Sequence, residues 1–390
     1  MVSYIPRVAS QPWAMGCSHV VAQKLTCSHQ NARLEIPRKF VLHNNKTVGP
    51  IVPCLHGIFP LKMVSMNCSP PHHEHVAMTP ERDARSPALP VPTLANVPYG
   101  GHERQVLDFW KADSPGPTPV LFYIHGGGWL SNDKSHIELE NGIDAFLEAG
   151  ISVVSINYQY IKQTILTEGS TPEAEITPSA AGDEGPPVKA PLEDAARALQ
   201  FVRSRAAVWN LDKERVCVSG SSAGACSCLW LAFHPDRADP TSPDPVARES
   251  TRVWCAAVQS AQTTLDPKEM RDWTPNSRYG GHAFGFAWNP KDPDEEFRNF
   301  LANREAVLPW ILECSPYALV TENAPPVYLA YKSAPALGKD QDDPTHTANF
   351  GVKLAQKLAG LGRKCELVYP GAANVRHSSI LDFLLAQRLT

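Results

Sequence analysis

Residues 215–233 carry the pattern that most narrows the folds open to this chain of 390 residues. The apolar run Arg215-Val216-Cys217-Val218-Ser219 reads as a short buried strand, and the segment from Ala223 to Phe233 is helix-compatible. Between them stands Gly220-Ser221-Ser222-Ala223-Gly224, so Ser222 is expected at the apex of a strand-turn-helix. Larger residues at either glycine would crowd a turn that holds its central residue in a strained conformation. A strand that feeds at once into a helix requires a sheet for that helix to pack against.

The same alternation recurs along the chain. Arg104–Trp110, Val120–Ile124, Ile151–Asn157, Val253–Ser260, Val327–Tyr331 and Cys365–Tyr369 read as strands. Helices are expected over Ile143–Ala149, Leu192–Trp209, around Phe350–Leu361 and at the C-terminus through Leu381, Leu384 and Leu385. In the second of these, Leu192, Ala195, Leu199, Val202, Ala206 and Trp209 recur every three to four residues and form one apolar stripe. The order predicts an α/β fold: a mostly parallel central sheet with helices on both faces.

A serine hydroxyl needs a base, a group that orients the base, and donors for a tetrahedral oxyanion. The strand ending at Ile124 runs into His125-Gly126-Gly127-Gly128-Trp129, whose glycines let backbone N–H groups converge on one point. The expected oxyanion hole is therefore Gly126 and Gly127 together with Ala223, the residue after the nucleophile. Downstream, the strand Val327–Tyr331 leads into an acidic loop with Asp340, Asp342 and Asp343. Asp343 is preferred as the orienting acid, because Asp343-Pro344-Thr345-His346 leads directly into the next helix; Asp342 and then Asp340 are the alternatives. His377 is the last histidine in the chain and lies on the final strand-to-helix loop, which makes it the expected base.

With its H-G-G-G and G-x-S-A-G motifs intact, the chain from about Val97 onward resembles the α/β-hydrolase esterases of the hormone-sensitive-lipase-like and acetyl/feruloyl-esterase-like type. Asn157-Tyr158 and the helical stretch from Leu192 to Leu199 also look like features of that family. The resemblance implies a Ser222, Asp343, His377 triad that hydrolyses carboxylic esters of small molecules through an acyl-enzyme, with no metal or organic cofactor. Three alternatives stay open: formamide hydrolysis, since aryl-formamide hydrolases share an H-G-G-x-W loop; acyl transfer to an alcohol; and a non-catalytic binding protein on the same scaffold.

Two stretches break the alternation. Residues 161–190 are rich in Pro, Gly, Thr, Ser and Glu and read as a long loop, and residues 234–308, apart from the strand named above, are rich in Pro, Asp, Trp and Gly. In the resembling family, insertions at these places commonly form a lid, so Trp129, Phe284, Phe286 and Trp288 become candidate substrate walls.

Residues 1–96 read as a separate, poorly ordered extension. Residues 1–90 hold nine Lys and Arg against four Asp and Glu, while the rest holds 27 against 36. Seven of the 14 histidines also fall here, and Cys17-Ser18-His19 and Cys27-Ser28-His29 repeat ten residues apart without matching a zinc spacing. The extension lacks the apolar core of a secretory leader, which points to a cytoplasmic protein whose cysteines stay reduced. A net charge of −4 argues against general nucleic-acid binding, and no run approaches the ~20 apolar residues of a membrane span.

Overall fold

A computed structural model describes residues 89–166 and 185–388. The Cys-Ser-His repeats, most of the basic extension and the middle of the first inserted stretch lie outside the described residues. Among the described residues there are eight strands, β1 (Leu94–Pro98), β2 (Val106–Trp110), β3 (Thr118–Ile124), β4 (Ser152–Ile156), β5 (Leu211–Ser221), β6 (Cys255–Gln259), β7 (Val327–Ala330) and β8 (Cys365–Val368). They form one sheet in the order β1-β2-β4-β3-β5-β6-β7-β8. Only β1 and β2 run antiparallel to their neighbours; every pair from β4 through β8 is parallel.

The central strands are apolar throughout, because helices cover both of their faces. All seven residues of β3 are buried, and its side chains alternate between two cores. Val120, Phe122 and Ile124 join Val216 and Val218 of β5 on one side, whereas Leu121 joins Cys217, Val153 and Ala257 on the other. The first core is covered by α2 (Lys189–Ser204), α3 (Ala206–Trp209), α4 (Ala223–Phe233) and α9 (Asn349–Gly360), and the second by α1 (Gly142–Glu148) and α10 (Ile380–Gln387). Within the described residues this is the expected α/β arrangement. The stripe expected over 192–209 is buried at all six positions, but the helix is broken at Arg205 and ends at Asn210, which takes a left-handed conformation at φ 59°.

One expectation shifts. The fold begins before Val97: β1 is already paired with β2, and the Trp110 indole N–H donates to the Pro90 carbonyl at 2.7 Å. The stretch 234–308 is largely folded, with α5 (Pro267–Trp273), a 3₁₀ turn at Gly281–Phe284, α6 (Glu295–Ala302) and the start of α7 (Arg304–Cys314); α8 (Pro316–Leu319) follows. Ile165 pairs with Trp288 in a short parallel bridge, so the described part of the first insertion is fastened to the second.

Candidate active site

At the C-terminal end of β5 the chain turns through Ser222 and enters α4, which begins at Ala223. Ser222 sits at φ 52°, in the left-handed region that a non-glycine residue rarely adopts. The turn is possible because Gly224 lies against the β3 strand end: a Cβ there would stand 2.0 Å from the Ile124 carbonyl oxygen and 2.6 Å from that of His125. The outcome matches the sequence expectation of a serine held at the apex of a strained strand-turn-helix.

His346 meets Ser222, its Nε2 standing 2.9 Å from the serine Oγ. On the other side of the ring, Nδ1 lies 2.8 Å from Oδ2 of Asp343. The backbone N–H groups of Thr345 and His346 both donate to Asp343 Oδ1 at 3.2 Å, so one carboxylate holds the turn and orients the ring it carries. Gln262, fully buried, anchors the same turn by donating to the Thr345 carbonyl at 2.8 Å. Partial burial pushes the Asp343 carboxyl up, but its hydrogen bonds to the His346 ring and to both backbone N–H groups outweigh this and leave it below the usual range. Asp340 and Asp342 are exposed, and Asp342 faces a separate cavity with Arg278 and Pro344.

The expectation for His377 needs correction. Its Nδ1 lies 2.7 Å from Oε2 of Glu366 on β8, and its backbone N–H donates to Oε1 of the same carboxylate at 2.8 Å. That pair lines a different cavity, of about 670 Å³, along β8 and the last loop. Glu366 holds both the ring and the backbone of His377, whereas the turn at Asp343 carries its own histidine to the serine. The signal for His346 was present in Asp343-Pro344-Thr345-His346, where the two side chains stand three residues apart in a tight turn.

The glycine loop after β3 is braced from behind. The His125 ring, stacked on Tyr158 at 4.3 Å, donates from Nδ1 to the Gly126 carbonyl at 2.7 Å, and the Tyr158 hydroxyl donates to the His125 carbonyl at 2.9 Å. Burial pushes the His125 pKa down to about 4, so the ring is neutral at physiological pH. Gly127 adopts φ 103°, and a Cβ there would meet the Ser131 carbonyl oxygen at 2.4 Å. Asp194, buried on α2, secures the neighbouring loops by accepting from the Gln105 side chain at 2.7 Å and from the Gln159 backbone at 2.8 Å.

Ser222, His346 and Asp343 open into a cavity of about 510 Å³, with Gly127 and Gly128 on one wall and Tyr279, Glu138 and Lys332 on others. The four expected aromatic walls lie elsewhere. Trp129 is fully buried, donating from its indole to Ser227 at 3.0 Å; Phe284 and Phe286 pack on Phe300; Trp288 forms the bridge to Ile165. Trp129, Phe284 and Phe286 therefore serve the buried core.

Similarity to known proteins agrees with this architecture. Among curated proteins, gut esterase 1 of Caenorhabditis elegans is 28% identical over 173 residues, covering 44% of this chain and 28% of the relative. Phenmedipham hydrolase of Pseudarthrobacter oxydans is 30% identical over 176 residues, covering 41% and 32%. The matched stretch thus spans under a third of either relative. Two solved structures share the fold at a TM-score of 0.51: a truncated carbohydrate esterase from gut microbiota (16% identity; 78% of this chain, 98% of that one) and Thermogutta terrifontis esterase 2 phosphonylated by sarin (18%; 78% and 94%). The BD-FAE family model, which is acetyl/feruloyl-esterase-like, matches residues 107–169 and 184–334, more than half of the sequence and inclusive of the glycine loop and the Ser222 turn. The chain belongs to the BD-FAE family of α/β-hydrolases.

Proposed function

We propose that this protein is a serine hydrolase of small carboxylic esters, with Ser222 as nucleophile, His346 as general base and Asp343 as the acid that orients it. The observation that carries the reading is the relay of two hydrogen bonds, 2.9 Å from Ser222 Oγ to His346 Nε2 and 2.8 Å from Nδ1 to Asp343. Family membership supports ester chemistry, and the esterases among the relatives and fold neighbours are consistent with it.

In the first half-reaction Ser222 Oγ attacks the ester carbonyl while His346 Nε2 takes its proton; the Nδ1–H stays bonded to Asp343, which stabilises the imidazolium. Collapse of the tetrahedral intermediate returns the proton to the departing alcohol. Water then repeats the sequence on the acyl-serine and releases the acid. Negative charge on the carbonyl oxygen is assigned to the N–H of Ala223, at the N-terminus of α4, with those of Gly126 and Gly127; such a donor is worth roughly 3 kcal/mol in the transition state.

An ester panel of increasing acyl length, run on the native protein and on Ser222→Ala, tests this. The substitution is expected to lower the rate on the best substrate by on the order of a thousandfold or more. Equal rates for the two proteins would refute the assignment.

A further inference from the structure

The cavity of about 670 Å³ beside His377 has no part in the proposed reaction and shares no lining residue with the Ser222 cavity. It runs along β8, the last strand in the sheet order. Its described lining carries three cations, Arg363, Lys364 and Arg376, against a single carboxylate, Glu366.

Glu366 is already engaged. Its Oε1 accepts from the backbone N–H groups of Arg376 and His377 at 2.7 and 2.8 Å, and its Oε2 stands 2.7 Å from the His377 ring. With its side chain only 13% exposed, this carboxylate fixes two successive residues of the last loop and has all the donors it needs. The three cations are not so matched: none is in an ion pair among the described residues. Arg363 is anchored through Nε, which donates to the Ala324 carbonyl at 2.8 Å and leaves the two terminal nitrogens for another acceptor. Lys364 is exposed, and so is Arg376, whose backbone Glu366 holds.

Charges beside a sheet edge also deter pairing with a foreign strand. That role requires neither a cavity nor a carboxylate that fixes the loop on its wall. Like charges around one cavity repel, and an anion with more than one charge relieves the repulsion at several points at once. Leu367, Phe383 and Ala386 supply apolar lining between the charges, against which a carbon skeleton can pack.

We propose that this cavity is a binding site for a small organic anion with two or more carboxylates, gripped by the guanidinium forks of Arg363 and Arg376 and by the ammonium of Lys364. The site is independent of Ser222 and of the esterase reading.

Calorimetric titration at fixed ionic strength and near neutral pH tests this, with citrate as the probe and acetate, which has one charge, as its control. Lys364→Gln and Arg376→Gln each remove one exposed charge from the cavity; Lys111→Gln removes one beside β2, toward the other end of the sheet. Thermal unfolding without citrate checks that the variants fold. The native protein is expected to bind citrate saturably at one site per chain, and acetate much more weakly. Each cavity substitution should weaken citrate about tenfold, the worth of one charge-assisted hydrogen bond, while Lys111→Gln stays within about twofold. Ser222→Ala should bind citrate as the native protein does. No saturable citrate binding, equal affinity for acetate, or an equal loss in all three lysine and arginine variants would overturn the proposal. Loss of citrate binding in Ser222→Ala would move the anion to the other cavity and overturn it as well.

Discussion

Ser222 is held at φ 52° by glycines that a side chain could not replace, so its place in the site is a local consequence of five residues. That locality made it legible in the sequence. The histidine that meets it is 124 positions away, and no local pattern ranks one distant histidine above another. The link between Asp343 and His346 is local, and the Asp-Pro-Thr-His turn encoded it. His125 supplies a prediction at this scale. Its pKa falls from 6.5 to about 4 on folding, so the unfolded chain binds the proton first as the pH drops. Stability is therefore unaffected by this group above pH 6.5 and declines between 6.5 and about 4, by on the order of 3 kcal/mol in full. Urea unfolding across that range should show a shallower decline for His125→Gln than for the native protein.

Among the elements, the parallel strands were readable because helices bury both faces and force continuous apolar runs, as in β3 and β5. The helices of the second insertion were not. They are four to eleven residues long, which leaves only one to three turns of apolar repeat to detect, and α5 starts from a local device, the Asp266 side chain accepting from Lys268 N–H with Pro267 at the first turn. Arg304 at the start of α7 locks this layer to α5 by a two-pronged bond to Asp266, with Nε to Oδ1 at 2.7 Å and Nη2 to Oδ2 at 2.5 Å. Asp266 is buried, so removing its partner strands a charge. Arg304→Ala should cost about 3 kcal/mol in urea unfolding.

At the scale of the molecule, the described sheet starts at β1, the strand that precedes β2, and Leu89 and Pro90 make contacts ahead of it. A protein starting at residue 89 should keep its ester turnover within about twofold, because the residues removed lie outside the described sheet and site. One starting at residue 99 loses β1, exposes the edge of β2 and should give much less folded protein. Soluble yield and activity of the two truncations measure the difference. The reach of the family match is also informative at this scale: it ends at residue 334, before Asp343, His346 and His377, so it leaves the acid and base to be decided by geometry.

His346→Ala and His377→Ala, assayed side by side on a short-chain ester, decide which histidine serves Ser222. The hydrogen bonds predict that the first loses on the order of a thousandfold or more in kcat/KM, and that the second, which breaks only the contact with Glu366, stays within about tenfold of the native value. Loss of activity in His377→Ala with retention in His346→Ala would contradict the account.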